Sequence, residues 1–169
     1  MPDVLLATDA DWIHDEVEAA IADDDTAVTR VGAGRDVVPA VRATSPDLVV
    51  LDLQIGNMGG MATCMSLRLE EGAGRLERTP VLMLLDRTQD TFLARRSDAD
   101  GWLIKPLDAF RLRRAAQALL SGERWVEGVA DDGGVDVEPM IPVTADGVEE
   151  GTAADEPADP ADPEAVAAD

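Results

Sequence analysis

Five short apolar runs, each followed by a stretch with helical periodicity, fill residues 4–120 of the chain. The runs are "VLLA" (4–7), "AVTRV" (27–31), "LVVLD" (48–52), "VLMLL" (81–85) and "WLI" (102–104). Apolar strands without alternation are buried on both faces, as in a parallel sheet, and helices between them supply right-handed crossovers. The pattern predicts a doubly wound, five-stranded parallel α/β domain. Its helices carry apolar faces formed by Trp12, Ile13, Val17, Ala20 and Ile21; by Val37, Val38 and Val41; and by Met61, Cys64, Met65 and Leu69. A weaker helical stretch lies near 89–97, and a helix of about 109–120 turns Leu112, Ala115, Ala116 and Leu119 inward. Glycine, proline and Asp/Ser/Thr mark the joins, as in "VGAGRD", "TSPD" and "SDADG".

Beyond residue 125 the pattern stops. Residues 126–169 hold 14 of the 35 acids and no Lys or Arg, leaving 21 acids against 14 bases on residues 1–125. We therefore expect one domain at 1–121, a linker at 122–144 and a disordered acidic tail at 145–169, too poor in large apolar groups to offset its ordering entropy. "VDVEPMIPV" (135–143) has the pattern to dock as an extended piece, with a flexible linker as the alternative. The tail reads as a solubilising appendage, with mimicry of a polyanion or shielding of the basic residues Arg111, Arg113 and Arg114 as the sharper alternative. The acidic balance repels a phosphate backbone, so nucleic-acid binding is not expected. No apolar run approaches the roughly 18 residues of a membrane span, and no leader pattern opens the chain, so the expected location is the cytoplasm. The lone Cys64 forms no intrachain disulfide and is assigned to core packing.

In a doubly wound sheet the functional crevice lies beyond the carboxyl ends of the strands. The residues there are Thr8 and Asp9 after the first run, Asp52 ending the third, Leu85 ending the fourth, and Lys105 after the fifth. Lys105 is the only lysine, beside 13 arginines. Two carboxylates offer hard oxygen ligands of the kind Mg²⁺ takes, and an ammonium serves as a point charge on phosphoryl oxygens. This is a set for phosphoryl transfer, with an aspartate as nucleophile. Simpler roles compete: Asp52 as a polar strand end, Asp9 as a helix cap with Asp11 the better candidate, and Trp102 as either packing or a partner contact. His14, "GAG" (32–34) and "DDGGVDVE" (131–138) read as a surface residue, a turn and linker.

With "DLVVLDLQIGNMGG" and, about fifty residues later, "GWLIKPL", residues 2–121 resemble the receiver domains of two-component response regulators, which have the flavodoxin-like, CheY-like fold. The resemblance implies Asp52 as phospho-acceptor, and Asp9, Asp52 and the backbone carbonyl of Gln54 as Mg²⁺ ligands. It implies Lys105 as the phosphoryl-contacting lysine, with a cis bond to Pro106. Three positions depart from the family pattern: Thr8 replaces the first of two acids, Leu85 replaces a hydroxyl residue, and Gly56 replaces a proline. Trp102 stands at the aromatic switch position. Thr8 is expected to weaken Mg²⁺ binding, and Leu85 cannot donate to phosphate.

The expected function is a stand-alone, atypical receiver that takes a phosphoryl group on Asp52 from a histidine kinase and signals by protein contact through the face formed by residues 81–120. At most it dephosphorylates itself slowly, so it is not expected to be an enzyme. The alternative is a phosphorylation-independent adaptor that uses the receiver fold as a binding module.

Overall fold

The computed structural model describes residues 2–22 and 25–128. The five runs form strands β1 (Asp3–Ala7), β2 (Ala27–Val31), β3 (Leu48–Asp52), β4 (Val81–Leu85) and β5 (Gly101–Ile104). They pair in parallel in the order β2-β1-β3-β4-β5, which places the reversal of winding between β1 and β3. The helices are α1 (Asp11–Ile21), α2 (Val37–Thr44), α3 (Gly60–Gly72), α4 (Thr91–Arg96) and α5 (Ala109–Leu120), with short 3₁₀ turns at Gly34–Asp36 and Thr88–Asp90. This is the doubly wound, CheY-like fold expected from the sequence.

Every residue of β3 and β4 is buried, as both-face burial of a central parallel strand requires. Period-two alternation divides β4 between two apolar layers. Val81, Met83 and Leu85 join the layer containing Val37, Val41, Cys64 and Leu67, while Leu82 and Leu84 join Ile13, Val17, Leu112 and Leu119 on the other face. Thus α1 and α5 cover one face, and α2, α3 and α4 the other. Cys64 is wholly buried there, and burial pushes its thiol pKa up.

Two expected helix faces need correction. In α3 the inward stripe is Gly60, Thr63, Cys64 and Leu67, while Met65 and Leu69 are 48% and 69% exposed. The cause is close approach at the start of the helix, where a Cβ on Gly60 would stand 2.6 Å from the carbonyl oxygen of Asp52. Small residues therefore face the sheet, and the rotation carries the larger ones outward. Trp12 likewise stands outside the core, 50% exposed. Asp11 is the first residue of α1 and does not cap it. The cap position is Ala10, and the Asp11 carboxylate accepts from Arg30 Nη1 at 2.8 Å.

Within the stretch expected to be linker, residues 123–128 lie along β5, where Gly101 and Trp125 form a parallel bridge. The segments at 131–138, 135–143 and 145–169 lie outside the described residues.

Candidate functional site

Asp52 ends a fully apolar strand, so its carboxylate is delivered to the crevice while 2% exposed. A carboxylate this buried requires partners. Its Oδ1 accepts from Lys105 Nζ at 2.8 Å and from the Gln54 backbone N–H at 3.2 Å, and its Oδ2 accepts from Thr8 Oγ1 at 3.0 Å. Thr8 is itself wholly buried, and its hydroxyl also accepts the Ala10 N–H at 3.2 Å. The hydroxyl at the position of the missing acid is thus a ligand of the neighbouring carboxylate.

Lys105 reaches the same point from β5. Its backbone N–H is held by the Leu85 carbonyl at 2.8 Å, and its bond to Pro106 is cis, as the resemblance implied. The ammonium has two further neighbours that the sequence does not place at the site. Asp86 Oδ1 stands 3.1 Å from Nζ, and the ring of Trp12 has its centroid at 5.7 Å. Asp86 is the residue next to Leu85 at the end of β4. Acidity at a strand end is the sequence signal for it. Trp12 was assigned to a helical core face because periodicity does not say where the first turn of a helix overhangs a crevice.

Asp9 is exposed and does not cap α1. Its Oδ2 accepts the backbone N–H of Gly56 at 3.1 Å, which ties it to the loop that follows Asp52. The Gly56 departure thereby acquires a physical reason. Proline would have no N–H to give, and a Cβ at this position would stand 2.9 Å from the same Asp9 oxygen. The loop is held from its other side as well, since Gly34 N–H and Arg35 N–H donate to the carbonyls of Gly56 and Asn57, each at 3.0 Å. Gly34 allows that approach because a Cβ there would come within 1.9 Å of the Met58 carbonyl oxygen. Asn57 and Met58 both have positive φ, at 50° and 93°, a costly backbone state that surrounding contacts must maintain. The "GAG" turn therefore braces the loop that follows Asp52.

Leu85 lies wholly buried in the apolar layer shared with Met83 and Trp102, so the end of β4 presents no hydroxyl to the crevice. Trp102 is 1% exposed and packs in the same layer. Its indole Nε1 donates to the Glu127 carbonyl at 2.8 Å. His14 pairs with Asp15 and Glu18 on the outer side of α1 and takes no part in the site.

The donor set suits a hard divalent cation, because every candidate ligand is oxygen: the carboxylates of Asp9 and Asp52 and the carbonyl of Gln54. Among the described residues no cluster of three His, Cys, Asp or Glu side chains could hold a metal.

A family model described as the response regulator receiver domain matches residues 4–117. Among curated proteins, the transcriptional regulatory protein CseB of Streptomyces coelicolor is 30% identical over 156 residues, covering 86% of this chain and 64% of that protein. The DNA-binding response regulator MtrA of Mycobacterium tuberculosis is 37% identical over 98 residues, covering 57% of this chain and 40% of that one. The chain thus spans less than two thirds of the length of these relatives. Among solved structures, the chemotaxis response regulator CheY4 of Vibrio cholerae aligns with a TM-score of 0.63 at 24% identity, over 70% of this chain and 98% of that one. This last likeness shows the fold.

Proposed function

The chain belongs to the response regulator receiver domain family, and from that premise we propose that Asp52 accepts a phosphoryl group from the phosphohistidine of a histidine kinase and that the signal passes on by protein contact. The observation that carries this reading is the buried Asp52 carboxylate joined at 2.8 Å to the only lysine of the chain. In the transfer, a carboxylate oxygen of Asp52 attacks phosphorus and a P–O bond forms. The P–N bond breaks, and the imidazole leaves with its electron pair. The product is an acyl phosphate whose added charge Lys105 is placed to meet, as a mobile point charge. Asp9, Asp52 and the Gln54 carbonyl would hold Mg²⁺, which when bound neutralises charge on the phosphoryl oxygens. Thr8 makes this metal site weaker than one with three acids.

Contact through residues 81–120 is the proposed output. CseB and MtrA are named as a transcriptional and a DNA-binding regulator, whereas residues 1–125 of this chain hold 21 acids against 14 bases, a balance that favours protein over nucleic-acid contact. A histidine-kinase donor implies a cytoplasmic place. No helix among the described residues is long and apolar enough to cross a membrane.

A second reading, a phosphorylation-independent adaptor, is favoured by one observation: the end of β4 offers buried Leu85 where a phosphate-sensing hydroxyl is needed. Acetyl phosphate or beryllofluoride with millimolar Mg²⁺ separates the two. A phosphoryl mass on the wild-type chain that is absent in Asp52→Asn, with shifted signals around Asp52, is the expected result. No response in wild type, together with unchanged partner binding by Asp52→Asn, establishes the adaptor instead.

A further inference from the structure

Strand β5 is an outer strand of the sheet, and a bare sheet edge is a template for another extended segment. In this chain the edge is occupied. After α5 the backbone turns at Gly122, with φ of 79°, and returns beside β5. The Trp102 N–H donates to the Trp125 carbonyl, and the Trp102 indole N–H to the Glu127 carbonyl, both at 2.8 Å. The Glu127 side chain then bridges strand and helix. Its Oε2 accepts the Ile104 N–H at 3.0 Å, its Oε1 accepts Arg111 Nε at 2.9 Å, and Arg111 Nη2 also bonds Oε2.

Two glycines make room for this contact. A Cβ on Gly101 would stand 2.6 Å from the Trp125 carbonyl oxygen, and one on Gly128, at φ of 68°, would stand 2.6 Å from Ile104 Cδ1. Apolar burial supplies one anchor, Trp125, half-buried against the layer of Leu112 and Leu119 with Arg114 over its ring, while Val126 is exposed. Its register is set by directional bonds: two of its carbonyls and one carboxylate are read by two backbone N–H groups, an indole and a guanidinium, and Arg124 donates to the Ala99 carbonyl at 3.3 Å. That is how a sheet edge recognises a peptide by strand addition.

We propose that the β5 edge together with Arg111 is a docking groove for an extended acidic peptide, filled in cis by residues 124–128, so that this segment is an autoinhibitory strap latched by Glu127. The chemistry of a ligand in trans follows from the strap. It presents one carbonyl to Trp102 N–H, a second two residues later to the indole, and on that later residue a glutamate long enough to reach both Ile104 N–H and Arg111. The inference is independent of phosphoryl transfer at Asp52.

The experiment uses the full chain and a labelled synthetic peptide of residues 122–128, GERWVEG. A short tether gives the cis segment an effective concentration of about millimolar, so wild type resists the peptide. In Glu127→Ala, amide exchange at Ile104 rises at least about tenfold while β1 and β3 amides keep their protection. The peptide then binds this variant and restores protection, whereas the same peptide with alanine for its second glutamate does not. Unchanged exchange at Ile104 in Glu127→Ala, or a variant that opens and ignores the peptide, overturns the proposal. If the variant loosens the whole sheet, Glu127→Gln, which keeps the length of the side chain, is titrated with the same peptide and decides. Shifts confined to Trp102 Nε1–H and Ile104 support the groove, and their absence removes it.

Discussion

At position 56 a backbone N–H does the work of holding Asp9, and the loss of that donor is measurable. Gly56→Ala places a Cβ 2.9 Å from Asp9 Oδ2, but Asp9 is exposed and can turn away. Gly56→Pro adds the loss of the N–H that bonds the carboxylate at 3.1 Å. We expect the proline variant to be less stable than the alanine variant by about 1–2 kcal/mol in urea unfolding, since hydrogen bonds to charged groups are the stronger ones. Equal stabilities would show that the bond contributes nothing. Leu85 gives a second test. Leu85→Thr removes buried apolar volume and buries a hydroxyl, at a cost of about 2–4 kcal/mol. On the phosphoryl reading it also strengthens the beryllofluoride-dependent change in Trp102 fluorescence, read in a Trp12→Phe, Trp125→Phe background that leaves Trp102 as the sole tryptophan. A wild type that responds as strongly would refute the role given to Leu85. At this scale the site was legible where polarity interrupts apolarity, at Asp9, Asp52 and Lys105. Asp86 and Trp12 were not legible as neighbours of Lys105, because that relation depends on three elements converging.

The strands were legible as elements because both-face burial leaves a run of apolar residues that few other structures require. The face of α3 was not, since Gly60 and Thr63 face the sheet for reasons of space and not of hydropathy. One arginine on α3 ties several elements together. Arg68 donates to Glu71 at 2.8 Å, to Asp100 at 2.6 Å, and to the carbonyls of Thr79 and Asp98, linking α3 to the start of β4 and the turn before β5. The side chains of Arg68 and Glu71 are 10% and 7% exposed, so Arg68→Met leaves a nearly buried carboxylate short of its partner. A loss of about 3 kcal/mol in chemical denaturation is expected, and less than about 1 kcal/mol would show that Arg78 suffices for Glu71. The strap beside β5 left no sequence signal, because its bonds join residues of β5, α5 and the segment after α5 that only the fold brings together. Its latch does titrate. Burial pushes the Glu127 carboxyl up, but hydrogen bonds from Arg111 and the Ile104 N–H outweigh this and hold it below the usual range. Arg111 is the charged group facing it, with Asp108 near that guanidinium. A depressed folded-state value means that the latch contributes fully above the ordinary glutamate range and loses its contribution as pH falls through the depressed value. Amide exchange at Ile104, corrected for intrinsic rate, should therefore quicken in acid in wild type and vary little with pH in Glu127→Gln.

For the molecule as a whole, parallel strands deliver every strand-end side chain to one pole, so stability and site chemistry meet in the same few residues. Thr8 is where they conflict. Wholly buried, it satisfies Asp52 Oδ2 through its hydroxyl at 3.0 Å and accepts a backbone N–H as well. Thr8→Asp restores a third acid but sets one carboxylate against another, with the Lys105 ammonium already shared between Asp52 and Asp86. In metal-free buffer the variant should lose about 3 kcal/mol or more, the scale of an uncompensated buried charge. Mg²⁺ reverses the order of gain, because a ligand bound only by the folded chain stabilises it by RT ln(1 + [L]/Kd), about 2.7 kcal/mol at a hundredfold excess over Kd. Thermal unfolding across a Mg²⁺ series should show Thr8→Asp rising steeply from a low start, while wild type begins higher and rises little. Parallel rises would mean that Thr8 does not limit metal binding. A wild type that gains more than the variant would mean that the hydroxyl is part of the metal site, not a substitute for a missing part of it.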